Sequence, residues 1–439
     1  MSARKTALDV LIACRKQGAW SNGVLKDYIA RDKLDRRDAA LATRLSYGVQ
    51  QHRALLDFFL AQLLTGKVKD LHPVVRDILH LGLYQIYELD KIPDSAAVNE
   101  SVLLAKKYCR FQPKMAGLVN GVLRNAVRTK GTLKMPDSLA VRYSHPQKLI
   151  DALEKDLGSE VLEPMLAANN DIPLTVVQVN ALRTTVEALT EMLEEEQVKV
   201  LPHAWMPDCL VLANTGNLEA LESFKEGLFY VQDAASKLAV QCAQIPVGEK
   251  TRVLDCCAAP GGKTFAAGII MKNEGRIRSG DIHRHKTELI QRGADRLGLT
   301  NVLVREQDAT ENHPSWFEKM DVVLADVPCS GYGIIRKKPD IRYKDPEDMA
   351  RLPELQLRIL NKQAEYVKPG GVLMYSTCTL LKRENEAVVE AFLRSRKDFY
   401  LEKLTLPSVF PENTTGMLTL IPGQYDTDGF FICRMRRKA

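Results

Sequence analysis

Cys257-Ala258-Ala259-Pro260-Gly261-Gly262-Lys263-Thr264 (CAAPGGKT) is the stretch on which the reading of this chain turns. It follows a short apolar run, Arg252–Asp255, and leads into a helical pattern from Lys263, so it reads as a glycine turn closing a strand. Such a turn brings backbone N–H groups close to a small-molecule ligand. A phosphate-cradling loop needs G-x-x-x-x-G-K-[ST]. Gly262-Lys263-Thr264 supplies its end, but the required first glycine falls on Cys257. The apolar run ending at Asp326 resembles the Mg²⁺-holding strand of such an enzyme, yet without that glycine the loop does not wrap phosphates. A dinucleotide G-x-G-x-x-G is also absent.

From residue 232 onward, strands and helices alternate. Strand patterns at Arg276–Gly280, Asn301–Arg305, Val322–Ala325 and Val372–Ser376 are interleaved with helical ones at Arg284–Leu297, Pro353–Val367 and Glu384–Leu393. That rhythm predicts a doubly wound, Rossmann-like α/β domain with a mostly parallel sheet, to which Gly429–Met435 adds an edge strand. In that fold a carboxylate at the end of the second strand holds ribose hydroxyls, and Asp281 stands there; Asp308 follows the third strand, where an adenine amino group needs an acceptor. Each Asp alone is also a good helix N-cap. Together with a turn too short for phosphates they point to S-adenosylmethionine.

Two thiols lie at the ends of the next strands. Asp326-Val327-Pro328-Cys329-Ser330-Gly331 follows the fourth and Ser376-Thr377-Cys378 the fifth. A lone buried Cys is usually a small hydrophobe, but two at adjacent strand ends of one crevice make a nucleophile the better reading. Carbon 5 of cytosine is too weak a nucleophile to take a methyl group from a sulfonium. A thiolate adding at carbon 6 makes carbon 5 electron-rich. An acid near N3 stabilises the developing charge, which is the place for a protonated or proton-sharing Asp326. A base must then remove the carbon-5 proton so that the thiolate is eliminated. The pattern leaves open which thiol attacks.

The rest of the chain is of a different kind. Up to about residue 130 apolar residues recur at helical spacing, as in Leu8-Leu11-Ile12, Leu55-Phe58-Phe59-Leu63 and Val75-Ile78-Leu79-Leu83-Ile86, with Pro73 at a first-turn position. This predicts an all-α bundle. Within Ser101–Lys134 stand Lys106, Lys107, Arg110, Lys114, Arg124, Arg128, Lys130 and Lys134 with no Asp or Glu, a pattern suited to a polyanion. Residues 135–170 read as a helical connector. A small α+β segment follows, with strands at Leu174–Val179, Leu210–Leu212 and Leu228–Val231 and an acidic helix at Thr184–Glu196 whose face is solvated.

A loop with five cations, Ile335–Lys344, is placed by charge to hold phosphates while a base is flipped in. The basic tail (Arg434, Arg436, Arg437, Lys438) reads as solvated. A net charge of +6 permits a nucleic-acid partner without requiring one. Nine cysteines with no CxxC pair disfavour a structural metal site or disulfide scaffold and suit a reducing cytoplasm. The N-terminus has no signal-peptide core, and no apolar run is of membrane-spanning length, so no membrane partner is expected.

CAAPGGKT, DVPCSG and STC, with the spacing of Asp281 and Asp308, resemble the RNA cytosine-C5 methyltransferases of the NOL1/NOP2/Sun family. The helical N-terminus is similar to the antitermination-factor (NusB-like) RNA-binding domain. Arg142–Pro146 (RYSHP) and Val231–Ser236 (VQDAAS) resemble the branch acting on small-subunit ribosomal RNA. The resemblance implies three parts: a NusB-like domain over 1–135, a connector with a small α+β domain over 136–231, and a class I methyltransferase domain over 232–439. It implies Cys378 as the attacking nucleophile and Cys329 as the residue aiding release. Cys257, Ala258, Ala259, Pro260, Gly261, Gly262, Lys263, Asp281, Asp308 and Asp326 would surround the cofactor and base. Where the family usually carries Ala and Gly, this chain has Val327 and Gln307. The expected partner is 16S rRNA, and the expected form a cytoplasmic monomer. The rival readings are the same reaction on tRNA, and an RNA-binding or antitermination protein without catalysis.

Overall fold

The structure, a computed structural model, describes residues 2–17, 21–110 and 112–439, so Phe111 of the basic stretch lies outside the described residues. The chain forms two compact units. One comprises the described residues of 1–154 with 159–171 and 335–344; the other comprises 155–158, 172–334 and 345–439.

The first unit is helical. Its helices are α1 (Ala3–Gln17), α2 (Ser21–Asp32), α3 (Arg36–Gln51), α4 (Arg53–Leu63), α5 (Pro73–Glu88), α6 (Asp94–Tyr108), α7 (Lys114–Arg128), α8 (Leu139–Arg142), α9 (Gln147–Leu157, whose last turn passes to the other unit) and α10 (Ser159–Ala168). Pro73 opens α5, as expected. From Ile78 to Ile86 every residue of α5 is buried, so it is the central helix rather than one wall of the bundle. Close packing explains two glycines: a Cβ at Gly48 would overlap the Tyr84 ring at 1.9 Å, and one at Gly82 would meet Leu123 at 2.5 Å.

The loop at 335–344 belongs to this unit, and its Arg342 is not available to the phosphates expected there. Arg342 has no exposed surface. Its guanidinium donates to the carbonyl oxygens of Gln51 (2.7 Å), Tyr143 (3.3 Å), Ser144 (3.4 Å) and Asn169 (3.3 Å) and to Asn170 Oδ1 (2.9 Å). The Tyr343 hydroxyl donates to Gln50 O at 2.6 Å. These carbonyls stand at the ends of α3, α8 and α10, where helices leave acceptors without intrahelical partners. The RYSHP phrase serves the same framework: Ser144 Oγ accepts the N–H groups of Ala54 and Leu55, both at 3.1 Å, and so caps α4.

The second unit carries two sheets. The smaller, in the order β2-β3-β1-β4, is antiparallel and consists of β1 (Thr175–Val179), β2 (Lys199–Pro202), β3 (Cys209–Ala213) and β4 (Phe229–Val231), with α11 (Val186–Glu195) and α12 (Glu222–Lys225). The acidic helix α11 buries Leu189 and Leu193 and leaves its glutamates in solvent. Glu196 is the exception, accepting the N–H groups of Glu222 (2.6 Å) and Ser223 (3.3 Å) at the start of α12.

The larger sheet runs β10-β12-β9-β8-β5-β6-β7. Its elements are α13 (Ala234–Cys242), β5 (Arg252–Asp255), α14 (Gly262–Ile270), β6 (Arg276–Asp281), α15 (Arg284–Leu297), β7 (Val302–Glu306), β8 (Met320–Asp326), α16 (Leu352–Ala364), β9 (Val367–Thr377), α17 (Glu386–Ser395), β10 (Phe399–Leu401), β11 (Met417–Leu420) and β12 (Phe430–Arg437). Strands β5 to β9 are parallel, and β12 pairs antiparallel with β9. Alternation along the strands fills two cores. Val253, Ile277, Val322 and Met374 pack towards α13–α15, and Leu254, Val323, Leu373 and Tyr375 towards α16 and α17.

The C-terminal run is not an edge strand, since β12 also pairs with β10 and β11. Of the basic tail Lys438 is exposed, as expected, but the arginines are engaged. Arg434 is 2% exposed and bonds Cys242 O and Glu402; Arg436 bonds both oxygens of Glu402, and Arg437 meets Glu318.

Candidate active site

The strand order reverses between β5 and β8, and doubly wound sheets bind ligands in the crevice at that point. CAAPGGKT leaves β5 there. Ala258 N–H donates to Gly280 O at 2.8 Å and Gly261 N–H to Ala258 O at 2.7 Å, so the loop folds back on the end of β6. Gly261 has φ of +114°, and a Cβ there would fall 2.4 Å from the Phe265 ring. Only glycine fits both demands. Helix α14 starts at Gly262 and directs its first-turn N–H groups, which lack intrahelical partners, out of the loop.

The predicted carboxylates take their places along this edge. Asp281 ends β6, is 8% exposed, and accepts the His283 N–H at 3.1 Å. Asp308 follows β7 and accepts from the Thr310 N–H and hydroxyl, each at 2.8 Å. Beside them the Gln307 Nε2 and Gln232 Oε1 atoms are buried with no hydrogen-bond partner among the described residues. Gln307 packs on Gly280 and Gln232 on Gly262, so an unmet donor and an unmet acceptor flank the loop. Backbone amides at a helix start, two carboxylates and these amide groups suit the amino-acid, ribose and adenine parts of S-adenosylmethionine.

Register brings the second half of the site together. In the parallel β8–β9 pair Asp326 is the partner of Ser376, so both chains leave the sheet at one level. Cys329 Sγ and Cys378 Sγ then lie 3.1 Å apart, and the Cys378 N–H points at Cys329 Sγ at 3.3 Å. The hydrogen bond with Cys378, burial, and the carboxylates of Glu384 and Asp326 push the Cys329 thiol well above its ordinary range. These surroundings favour the S–H form of Cys329.

Of the two forms expected for Asp326, protonated or proton-sharing, its hydrogen bonds match the second. Both its oxygens accept, Oδ2 from Lys263 Nζ at 2.6 Å and Oδ1 from Ser376 Oγ at 2.7 Å, so it shares the proton of Lys263. Lys263 Nζ also donates to Ser236 Oγ at 2.9 Å and lies 4.9 Å from the centre of the Phe430 ring.

Sequence reading passed over Ser236, Ser376 and Phe430 as site residues. The first two stood inside quoted phrases, Ser236 in the first turn of α13 and Ser376 one residue from the end of β9, and those hydroxyls were the available signal. It also passed over Asp255, buried under the loop, whose Oδ2 accepts from Thr264 Oγ1 at 2.8 Å and whose carboxyl group burial pushes up to about 7.

Comparison with known proteins agrees with this geometry. The chain matches the family described as 16S rRNA methyltransferase RsmB/F over residues 240–436. It matches the NusB family over 1–128 and the ferredoxin-like domain of RsmF/B-like methyltransferases over 145–219. It is 38% identical to the probable ribosomal RNA small subunit methyltransferase B of Bacillus subtilis (strain 168), across 100% of this chain and 99% of that one. Identity to ribosomal RNA small subunit methyltransferase B of Escherichia coli O1:K1 / APEC is 31%, across 93% of this chain and 92% of that one. The crystal structure of PH0851 superposes with a TM-score of 0.80 at 25% identity, covering 100% and 99% of the two chains. That of NSun6 from Pyrococcus horikoshii with SFG shares the fold at a TM-score of 0.60 and 21% identity, covering 67% of this chain and 98% of that one. On full-length relatives above 30% identity, the chain belongs to the 16S rRNA methyltransferase RsmB/F family, S-adenosylmethionine-dependent RNA (cytosine-C5)-methyltransferases of the NOL1/NOP2/Sun group.

Proposed function

We propose that this enzyme methylates carbon 5 of a cytosine in 16S rRNA through a covalent bond between Cys378 and carbon 6 of the base. The observation that carries the reading is the pair of thiols 3.1 Å apart beside the Lys263–Asp326 ion pair. S-adenosylmethionine, when bound, supplies the methyl group as a sulfonium. Cys378 as thiolate forms the sulfur–carbon 6 bond, and the displaced π electrons move towards carbon 5 and N3. Lys263, held by Asp326 and Ser236, offers a proton where N3 becomes charged. Once carbon 5 carries the methyl group, a solvent water or hydroxide takes its proton and the freed electron pair forms the carbon 5–carbon 6 double bond. The sulfur–carbon 6 bond breaks with Cys378 leaving as thiolate, and N3 returns its proton to Lys263. Cys329 assists that step: its S–H faces the departing thiolate. Arg342 is committed to helix-end carbonyls, so the phosphate contacts fall to α6 and α7, where Lys106, Lys107, Lys114, Arg124 and Arg128 are exposed.

Three domains with the boundaries given above, a monomeric state and a cytoplasmic setting complete the reading; no helix among the described residues is long and apolar enough to cross a membrane. The test is transfer of labelled methyl from S-adenosylmethionine to protein-free 16S RNA, with 5-methylcytosine mapped. One modified cytosine is the expected result. Transfer to tRNA in preference to 16S RNA would displace the substrate, and failure to bind S-adenosylmethionine would displace the enzyme reading.

A further inference from the structure

Cys329 and Cys378 sit on loops that leave two different strands, and register alone fixes their bases rather than their sulfur atoms. Two consecutive side chains unused by the chemistry above tie those loops together. Glu384 is 0% exposed and Asn385 1% exposed. Glu384 Oε2 accepts the Ser330 N–H at 2.9 Å and Gln356 Nε2 at 3.0 Å, and that same Gln356 Nε2 donates to Pro328 O at 2.9 Å. The residues on either side of Cys329 are thus held to Glu384. Asn385 Oδ1 accepts from Thr377 Oγ1 at 2.6 Å, and its Nδ2 donates to Thr379 O at 3.1 Å. The residues on either side of Cys378 are held to Asn385. Ser330 Oγ and Thr379 Oγ1, 2.7 Å apart, join the two loops directly. The Tyr375 hydroxyl donates to Glu384 O at 2.6 Å and anchors the pair on β9.

We infer that Glu384 and Asn385 are positioning residues that set the separation of the two thiols, a role that rests on the two-thiol reaction proposed above. A purely structural duty explains the pair less well. Asn385 directly precedes α17, where an Asn normally caps the helix, yet its side chain makes no capping bond and is spent on the Cys378 loop instead. A buried carboxylate is costly, and Glu384 takes both its donors from the Cys329 turn and its Gln356 brace.

The inference is tested on the full-length protein with Glu384→Ala, Glu384→Gln, Asn385→Ala and Asn385→Asp. Oxidised glutathione, added without RNA or S-adenosylmethionine, converts the two thiols to a Cys329–Cys378 disulfide with release of two glutathione thiols. The rate, read by peptide mass spectrometry, reports sulfur geometry apart from methyl transfer. Both Ala variants and Asn385→Asp, which loses the bond to Thr379 O, should form the disulfide about tenfold more slowly, because its geometry is narrow. Glu384→Gln keeps an acceptor for the Ser330 N–H and should recover most of the rate. In methyl transfer the slow variants should lose about tenfold to a hundredfold in kcat with KM for RNA and for S-adenosylmethionine unchanged.

Wild-type disulfide rates and kcat in variants that melt normally would overturn the inference. So would losses that follow the melting temperature and are not rescued in Glu384→Gln. A wild-type protein that forms the disulfide but methylates no cytosine would overturn the reaction alone, leaving the disulfide rates to judge the positioning.

Discussion

At Cys329 the surroundings favour the protonated form, and a hydrogen bond joins its sulfur to that of Cys378 3.1 Å away. The consequence is asymmetric. Cys378→Ala should abolish both methyl transfer and any covalent RNA complex. Cys329→Ala should still form the sulfur–carbon bond but release it slowly, so that a denaturation-resistant RNA complex accumulates on a gel; an adduct from Cys378→Ala instead would reverse the roles. Asp255 lends itself to a second prediction. Its carboxyl group titrates near 7 in the folded protein against about 4 when unfolded. The folded state therefore holds the proton more tightly, and stability falls as pH rises between those values, by up to about 4 kcal/mol. Asp255→Asn keeps an acceptor for Thr264 and removes the charge. Its urea midpoint should change less than the wild type's between pH 5 and pH 8. The positions of the candidate residues Cys378 and Asp281 were legible because each stands at the end of a strand. Asp255, Glu384 and Asn385 were not, because a buried polar residue is known by its partners, and its partners are distant in sequence.

The glycine turn and the 335–344 strap show what an element does with the residues it is given. Gly261→Ala would force a side chain into a left-handed conformation against Phe265. It should weaken S-adenosylmethionine binding by at least about tenfold and cost about 1–3 kcal/mol of stability, by calorimetry and urea unfolding. In the strap, Arg342→Ala removes a buried cation and leaves several carbonyls without donors. A loss of about 3 kcal/mol is expected, read from the unfolding of the helical unit. Charge alone assigned this loop to RNA, and for Arg342 charge alone misled: an arginine's donors serve phosphates and helix-end carbonyls equally well. The same holds for Arg434 and Arg436, whose guanidiniums serve the sheet. Helical and strand periods were readable throughout, since they follow from local burial.

Across the whole molecule the alternating pattern after residue 232 was enough to predict the parallel sheet, and the spacing of ligand groups along it located the crevice. What no local pattern carried was the placement of 335–344 with the helices or of β12 inside the sheet, both products of long-range pairing. RNA affinity is a property at this scale as well. Exchanging Lys106, Lys107 and Arg124 for Gln should lower the slope of log affinity against log salt by about 2, with little dependence on RNA sequence. An unchanged slope would remove α6 and α7 from the RNA-binding surface.

The helical unit closes on a ten-residue segment that the gene encodes more than 160 positions later. No single cut in the coding sequence therefore separates the two units cleanly. A fragment beginning at residue 172 still carries 335–344, now without Gln51, Ser144 and Asn169 to receive Arg342, and its misbehaviour would say little about the catalytic unit itself. Conversely, a protease that nicks the chain at 171–172 does not thereby free the helical unit, which stays attached through a peptide it does not own in sequence.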